Sequence, residues 1–357
     1  MRYRFQYRRY RLPFRVTVRT AHGPWAERDG VFVRLANERG DTGFGEASPI
    51  PWFGTETADE IEAACRELGE WVDNTRLASV PSRLGCLCNA IAAARKNLQE
   101  TIAEKDAEDR KAHTMFPFGV PPGKTRHTAL GVAALLPAGR SALAHISSRA
   151  EIGFRVFKWK VGVGDLADEL ALLDDVCAAL PGGSKLRLDA NGALDRRGAE
   201  RWLERCAERP IEFLEQPIAA DARGAADALL GLAGDYPTPL ALDESLIHDG
   251  DVARWVRAGW PGVYVVKPAL LSDVAHSIAQ LEKAKAAVVF SSALETVLGA
   301  RAALRWAFAW TGEARALGFG VWPLFEDARF DAPFVAPFIR RDDVAQLNPE
   351  AAWNALS

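Results

Sequence analysis

Two rhythms of apolar and polar positions divide the chain. Near the N-terminus the period is two: Tyr3, Phe5 and Tyr7 alternate with charged or polar neighbours, which predicts a strand with one covered face. Gly30-Val31-Phe32-Val33-Arg34-Leu35 predicts a second strand and Gly43-Phe44-Gly45-Glu46 a third. The polar Asn37-Glu38-Arg39-Gly40-Asp41 between them makes a hairpin turn. His22-Gly23-Pro24-Trp25 reads as a loop. The period then lengthens. Thr57 before Ala58-Asp59-Glu60 is an N-cap followed by acidic residues. A helix should run from there to about Val72, with Ile61, Ala64, Cys65, Leu68 and Trp71 on one face. A second, alanine-rich helix is expected over about Leu84 to Ala103. Strands followed by helices make an α+β unit.

Between about Glu104 and Arg126 the pattern lapses, and Phe116-Pro117-Phe118-Gly119-Val120-Pro121-Pro122-Gly123 reads as a linker. Beyond it short apolar runs alternate with helical stretches. Strands are expected near 129–136, 155–160, 185–189, 211–215, 239–243, 262–267, 287–291 and 316–319. Helices are expected near 165–180, 195–207, 223–232, 250–258, 272–284 and 296–309. Eight strands alternating with helices predict a closed parallel α/β barrel, with an open doubly wound sheet as the alternative. The tail after Trp322, with Pro323, Pro333, Pro337 and several aromatics, is expected to pack back on the first unit.

Charged residues close the apolar runs at a regular interval. Phe157-Lys158-Trp159-Lys160 is followed by Asp189, Glu215, Asp243 and Lys267 in steps of about 29, 26, 28 and 24 residues. That is one strand-plus-helix unit each time, which puts these residues at strand C-terminal ends, the active-site rim of a parallel barrel. Any one of the acids alone reads as a solvated loop residue or a helix cap, and a lone lysine as a snorkelling surface residue. Three converging carboxylates repel unless a cation sits among them, and an all-oxygen set favours a hard ion, Mg2+ with Mn2+ possible. Lys158 and Lys160 share one strand face, where like charges depress each other's pKa. A metal holding a substrate carboxylate beside such a base suits removal of the α-proton.

Composition narrows the classes. The 357 residues are 48% apolar and 25% charged, ordinary for a soluble globular protein, and the length suits two domains or one α/β barrel with additions. A net charge of -3 offers no basic face for nucleic acid. Five cysteines without a CxxC read as free thiols in a reducing compartment. The N-terminus lacks the apolar core of a signal peptide, and no run approaches the ~18 apolar residues of a membrane helix. A cytoplasmic protein acting on a small-molecule carboxylate is expected, with no membrane and no obligate protein partner. Gly162-Val163-Gly164 lacks the third glycine of a dinucleotide loop.

Lys158-x-Lys160, Asp189-Ala190-Asn191, Glu215-Gln216-Pro217, Asp243-Glu244-Ser245 and Lys267-Pro268 resemble the muconate-lactonising branch of the enolase superfamily. Within it the chain is most similar to the o-succinylbenzoate synthase group. Gly45-Glu46-Ala47-Ser48-Pro49 through Trp52-Phe53-Gly54-Thr55-Glu56 carries that likeness, as do Ala133-Ala134-Leu135-Leu136-Pro137, Ser291-Ser292-Ala293-Leu294-Glu295-Thr296 and Leu317-Gly318-Phe319-Gly320. The resemblance implies a modified (β/α)8-type, (β/α)7β, barrel over residues 125–321. An α+β capping domain over 1–124 would be completed by the tail 322–357. It implies Lys160 as the acid/base, Lys267 across the ring, and Lys158 tuning Lys160. Asp189, Glu215 and Asp243 would be the Mg2+ ligands, with Asn191, Ser291 and Ser292 shaping the pocket. Loops around His22–Trp25 and Pro51–Gly54 would close over the substrate. The implied reaction is syn dehydration of 2-succinyl-6-hydroxy-2,4-cyclohexadiene-1-carboxylate to o-succinylbenzoate, in menaquinone or phylloquinone biosynthesis. Dipeptide epimerase or N-acylamino acid racemase chemistry on the same site is the rival. The absence of an acid in Leu317-Gly318-Phe319-Gly320 counts against an epimerase.

Overall fold

The structure, a computed structural model, describes residues 2–20, 23–109, 127–332 and 336–356. The N-terminal strands β1 (Arg2–Thr20), β2 (Gly23–Ala36), β3 (Thr42–Ala47) and β4 (Trp71–Asp73) form an antiparallel sheet in the order β3-β2-β1-β4. Its covered face carries Tyr3, Phe5, Val31, Val33 and Leu35, all buried. Gly23-Pro24-Trp25 is not a loop but the start of β2, while His22 lies outside the described residues. Gly23, at φ 112, lets the chain reverse and pair at once, Gly23 with Thr20 and Trp25 with Val18. Pro24 is tolerated because β3 does not reach this far, so its missing N–H faces an open edge.

Helix α1 (Ala58–Leu68) starts on the expected capping box, in which Thr57 and Glu60 satisfy each other's backbone N–H. It stops short of Val72 because Gly69 takes φ 78, and Trp71–Asp73 then pair with Arg2–Arg4 as β4. After the short α2 (Asn74–Ala78), α3 (Gly85–Asp109) crosses the sheet. Gly43 and Gly45 are needed there, since a Cβ at either would strike the backbone of α3. α3 outruns its expected end at Ala103, where Lys105 pairs with the buried Asp41 at 2.7 Å. The proline-rich stretch 116–123 lies outside the described residues.

The expected strand 129–136 is two. β5 (Ala129–Gly131) turns outward to pair antiparallel with the tail, and β6 (Ala134–Leu136) enters the barrel. The barrel continues with β7 (Val156–Lys160), β8 (Lys185–Asp189), β9 (Ile211–Glu215), β10 (Leu240–Leu242), β11 (Val263–Val266) and β12 (Ala287–Phe290). These seven run parallel in sequence order. Helices α4 (Ala142–Glu151), α5 (Leu166–Ala179), α6 (Arg196–Cys206), α7 (Ala225–Asp235), α8 (Asp249–Arg257), α9 (Val274–Lys283) and α10 (Val297–Ala309) wrap them.

The eighth strand shrinks to a seam. Leu317 bridges Val132 and Gly318 bridges Ser291. Leu317 N donates to Gly131 O at 2.7 Å, Ala133 N to Leu317 O at 3.0 Å, Gly318 N to Phe290 O at 2.8 Å and Ser292 N to Gly318 O at 3.1 Å. A Cβ on Gly318 would collide with Ser291, so the seam needs a residue that makes a poor strand.

In the tail, β13 (Phe338–Arg340) pairs with β5, and α11 (Arg341–Ala345) and α12 (Pro349–Ala355) follow. Trp353 packs on Phe44 with centroids 5.9 Å apart, Arg8 donates to its carbonyl, and Phe325 bridges Phe14. Outward barrel residues pack under the helices. The Trp159 and Trp202 rings meet edge-on at 6.1 Å, and truncating either to alanine should cost about 3–5 kcal/mol. Among the described residues no helix is long and apolar enough to cross a membrane, and the five cysteines are free.

Candidate active site

The barrel interior is one face of period two, and it explains the spacing of the charged residues. Phe213, Ala241, Val263, Val265 and Val289 form a small apolar cluster inside the ring. Stepping two residues onward from four of them gives Glu215, Asp243, Lys267 and Ser291. Arg187 leads in the same way to Asp189, and Lys158 to Lys160. Parallel register sets Lys160 beside Asp189 and Asp189 beside Glu215. The strand ends therefore present one ring of charge above one apolar plug.

The charges are closely engaged. Lys158 Nζ lies 2.8 Å from both Asp189 Oδ2 and Glu215 Oε1. Burial would lower this ammonium, but the two carboxylates outweigh it and hold it above its usual range. The expected mutual depression of the lysine pair is thus overridden at Lys158. Lys267 contacts Asp243, and its Nζ sits 5.5 Å from the centre of the Phe53 ring. Burial pushes Lys267 down to about 8, against the pull of Glu215 and Asp189. Lys160 has no carboxylate partner within 4 Å among the described residues. Its ammonium donates to the Arg19 carbonyl of the β1–β2 ribbon at 3.3 Å.

A fourth acid belongs to the set. Glu244 follows Asp243, accepts from Asn191 Nδ2 at 3.0 Å, and leaves its other oxygen buried without a partner. Burial and the nearby Asp189 push Glu244 up to about 7, and Glu215 is raised by the same two causes. The carboxylates of Asp189, Glu215, Asp243 and Glu244 thus face the three ammonium groups of Lys158, Lys160 and Lys267, and raised acids in such a cluster mark functional sites. Among the described residues no three acids, histidines or cysteines stand close enough to form a finished cation cage. The all-oxygen donors, the surplus negative charge and the orphaned Glu244 oxygen fit a hard divalent cation.

Neighbouring loops are built to hold these side chains. After Lys160, the amides of Gly162, Val163 and Gly164 donate to the Glu169 carboxylate at 2.7, 3.0 and 2.9 Å. This glycine pair therefore folds around a protein carboxylate and not a phosphate. Gln216, fully buried at φ 36, accepts from Asp243 N at 3.0 Å and Ser245 N at 3.2 Å. Asn191 also takes a positive φ, 42, so two residues after metal-ligand candidates carry backbone strain of the kind found at functional sites.

A cavity of about 310 Å3 lies above the ring. Lys158, Lys160, Asp189, Asn191, Asp243 and Lys267 line it with Ser291 and Ser292, so the expected residues come together. Glu215 touches it through Lys158. Arg19, Thr20, Trp25, Trp52 and Phe53 of the N-terminal sheet and its loops cover the cavity. Missed from the sequence were the pocket position of Glu244 and the buried Arg28, Glu46 and Glu295, which hydrogen-bond to the 293–296 segment behind the cavity. Glu244, Glu46 and Glu295 stood inside motifs already singled out, and Arg28 gave no signal. A larger cavity, about 520 Å3, runs between α3, α9 and α10, but none of the strand-end groups reaches it.

The family described as Enolase C-terminal domain-like matches residues 142–337, and that described as MenC, N-terminal domain, matches residues 1–112. An o-succinylbenzoate synthase of Thermosynechococcus vestitus is 36% identical over 323 residues, covering 89% of this chain and 92% of that protein. This chain belongs to the o-succinylbenzoate synthase family of the enolase superfamily. The solved o-succinylbenzoate synthase from Thermosynechococcus elongatus BP-1, complexed with Mg in its active site, superposes with a TM-score of 0.75. It is 34% identical, over 90% of this chain and 94% of that one. The L-Ala-D/L-Glu epimerase of Bacillus subtilis shares the fold at TM-score 0.76 with 20% identity, over 94% and 95% of the two chains.

Proposed function

We propose that the chain dehydrates 2-succinyl-6-hydroxy-2,4-cyclohexadiene-1-carboxylate to o-succinylbenzoate in menaquinone or phylloquinone biosynthesis, as a cytoplasmic enzyme. The observation that carries this is the ring of Lys158, Lys160, Asp189, Glu215, Asp243 and Lys267 on one covered cavity, in a chain related over 89% of its length to such a synthase. Asp189, Glu215 and Asp243 would hold Mg2+, with Mn2+ as an alternative, and Glu244 stands beside them. The bound cation would neutralise the substrate carboxylate and the charge that builds on it as the α-proton leaves.

Lys160 Nζ, as the free amine, takes that proton. The C–H electron pair passes into the ring carboxylate as an enediolate. Lys160 then returns the proton to the departing hydroxyl on the same face, so water leaves and the ring becomes aromatic. Lys267, across the ring, supports the anion by charge. Its buried position strengthens that contribution, because little water screens it. Lys158 fixes Asp189 and Glu215. Asn191, Ser291 and Ser292 shape the cavity wall, beneath a capping unit of residues 1–124 on a barrel of 125–321 with the tail 322–357.

Purified protein with Mg2+ should form o-succinylbenzoate from the cyclohexadiene, followed by ultraviolet absorbance. It should be slow on a panel of dipeptides and N-acylamino acids. Faster racemisation of an N-acylamino acid than dehydration would overturn the assignment.

A further inference from the structure

Behind the cavity wall formed by Ser291–Leu294 stands a buried cation that does not itself line the cavity. Arg28, on β2, is 1% exposed and pairs with no carboxylate within 4 Å among the described residues. Its guanidinium spends its donors on backbone carbonyls. Nη1 donates to Pro49 O at 2.5 Å, and Nη2 donates to Ser48 O and, at 3.3 Å, to Ala293 O. Nε donates to Leu294 O at 3.1 Å. Leu294 sits at φ 58, a conformation leucine rarely adopts, with its carbonyl on this guanidinium. The Trp25 ring stacks 5.0 Å from the guanidinium carbon and meets Trp52 edge-on at 4.6 Å.

The two loops joined here carry opposite parts of the cavity. Residues 48–50 lead into Trp52 and Phe53, and Phe53 faces Lys267. Residues 293–294 follow Ser291 and Ser292. A planar five-donor fork can hold two carbonyls on each side at fixed separation, which a lysine ammonium cannot. Nearby, Glu46 ties the same units together by accepting from Thr296 N at 3.0 Å, Gly299 N at 2.8 Å and the Tyr10 hydroxyl.

We infer that Arg28 is a positioning residue that sets the width of the substrate cavity. It clamps the 48–53 loop of the N-terminal sheet to the 291–294 loop of the barrel, and so governs binding of the ring and its succinyl arm more than the proton transfer. This rests on the proposed reaction for its kinetic arm only.

The test compares the parent with Arg28→Lys and Arg28→Leu. By hydrogen–deuterium exchange, segments 48–54 and 291–296 should lose protection together, while 189–194 and 243–247 stay unchanged. That readout needs no substrate, so it separates failure of the clamp from failure of the proposed reaction. With the cyclohexadiene substrate, KM should rise tenfold or more while kcat moves less than threefold, with Arg28→Lys intermediate. If Arg28→Leu does not fold, Arg28→Lys carries both measurements. Unchanged protection in both segments overturns the inference, as does lost protection with an unchanged KM or a loss confined to kcat.

Discussion

The barrel holds two buried charged clusters on the same strands, one at each end, and they obey opposite rules. At the lower end Arg187 on β8 donates to Glu212 Oε2 on β9 at 2.7 Å and to the Ala316 carbonyl at 2.8 Å. Arg315 meets the other oxygen of Glu212 at 3.0 Å, and the Phe213 ring lies 4.9 Å from the Arg187 guanidinium carbon. Burial would raise Glu212, but the two arginines outweigh it and leave its pKa lowered. Two residues along β8 from Arg187 and three along β9 from Glu212, at the ends of both strands, the upper cluster has surplus carboxylates, and Glu215 and Glu244 are pushed up. At one end the buried carboxylate is fully paired, each of its oxygens on an arginine. The other is left short of positive charge, which prepares it to take up a cation and a substrate anion.

The largest effect that tests this contrast is chemical. Lys160→Ala should reduce turnover on the order of 10⁴-fold. Calorimetry should find Mg2+ binding intact, and full activity in this variant would sink the mechanism. Next comes Glu215→Gln, which removes a ligand candidate and half of the Lys158 clamp. Its Mg2+ affinity should weaken by more than about 100-fold, beyond the loss expected for an outer-sphere partner, and turnover should fall with it. An unaltered Mg2+ titration would detach Glu215 from the cation site.

At the lower end the consequence should be stability alone. Arg187→Met leaves Glu212 with only Arg315, and urea unfolding should show a loss of about 3 kcal/mol. Turnover in the folded variant should stay near parental, and a catalytic defect would dissolve the distinction between the two ends.

The smallest effect is a pH slope. Burial raises Glu295, beside Ser292, to about 7, so the folded protein holds that proton more tightly than the unfolded chain. Its contribution favours folding below about pH 4.5 and is lost as pH rises through 7, on the order of 1–3 kcal/mol. Glu212 works the other way, stabilising above the unfolded carboxylate range and losing that stability in acid. Thermal unfolding from pH 5 to 8 should therefore show a flatter decline for Glu295→Gln than for the parent.

Much of this was legible because a barrel turns three-dimensional position into sequence interval. The step from Lys160 to Asp189, Glu215, Asp243 and Lys267 is the length of one strand and helix, and the alternating strand face does the rest. Local rules also worked where one residue decides, as at the Thr57 cap. They failed where a distant partner decides. Val72 looked helical by spacing, but Gly69 and pairing with β1 made it a strand. Leu317 to Phe319 looked like a full strand, yet crowding by Ser291 admits only a bridge. Nothing local in Arg28 announces that four carbonyls from two loops converge on it. Glu244 was hidden for a simpler reason: its neighbour Asp243 already accounted for the motif.

The seam at Leu317 and Gly318 bears on how the molecule comes into being. Its partners lie at residues 131–133 and 290–292, and the first of these is about 185 positions away along the chain. Each of the seven strands can add to its predecessor after a short local excursion. Joining the last turn to the first requires the longest loop closure in the barrel, with only two backbone hydrogen bonds, Leu317 N to Gly131 O and Ala133 N to Leu317 O, returned for it. The order of assembly should thus run from β6 towards β12, with ring closure as the final, slowest step and the first to reverse. A nascent chain still lacking residues 317–318 would hold an open, curled sheet with two bare edges, the form most exposed to aggregation.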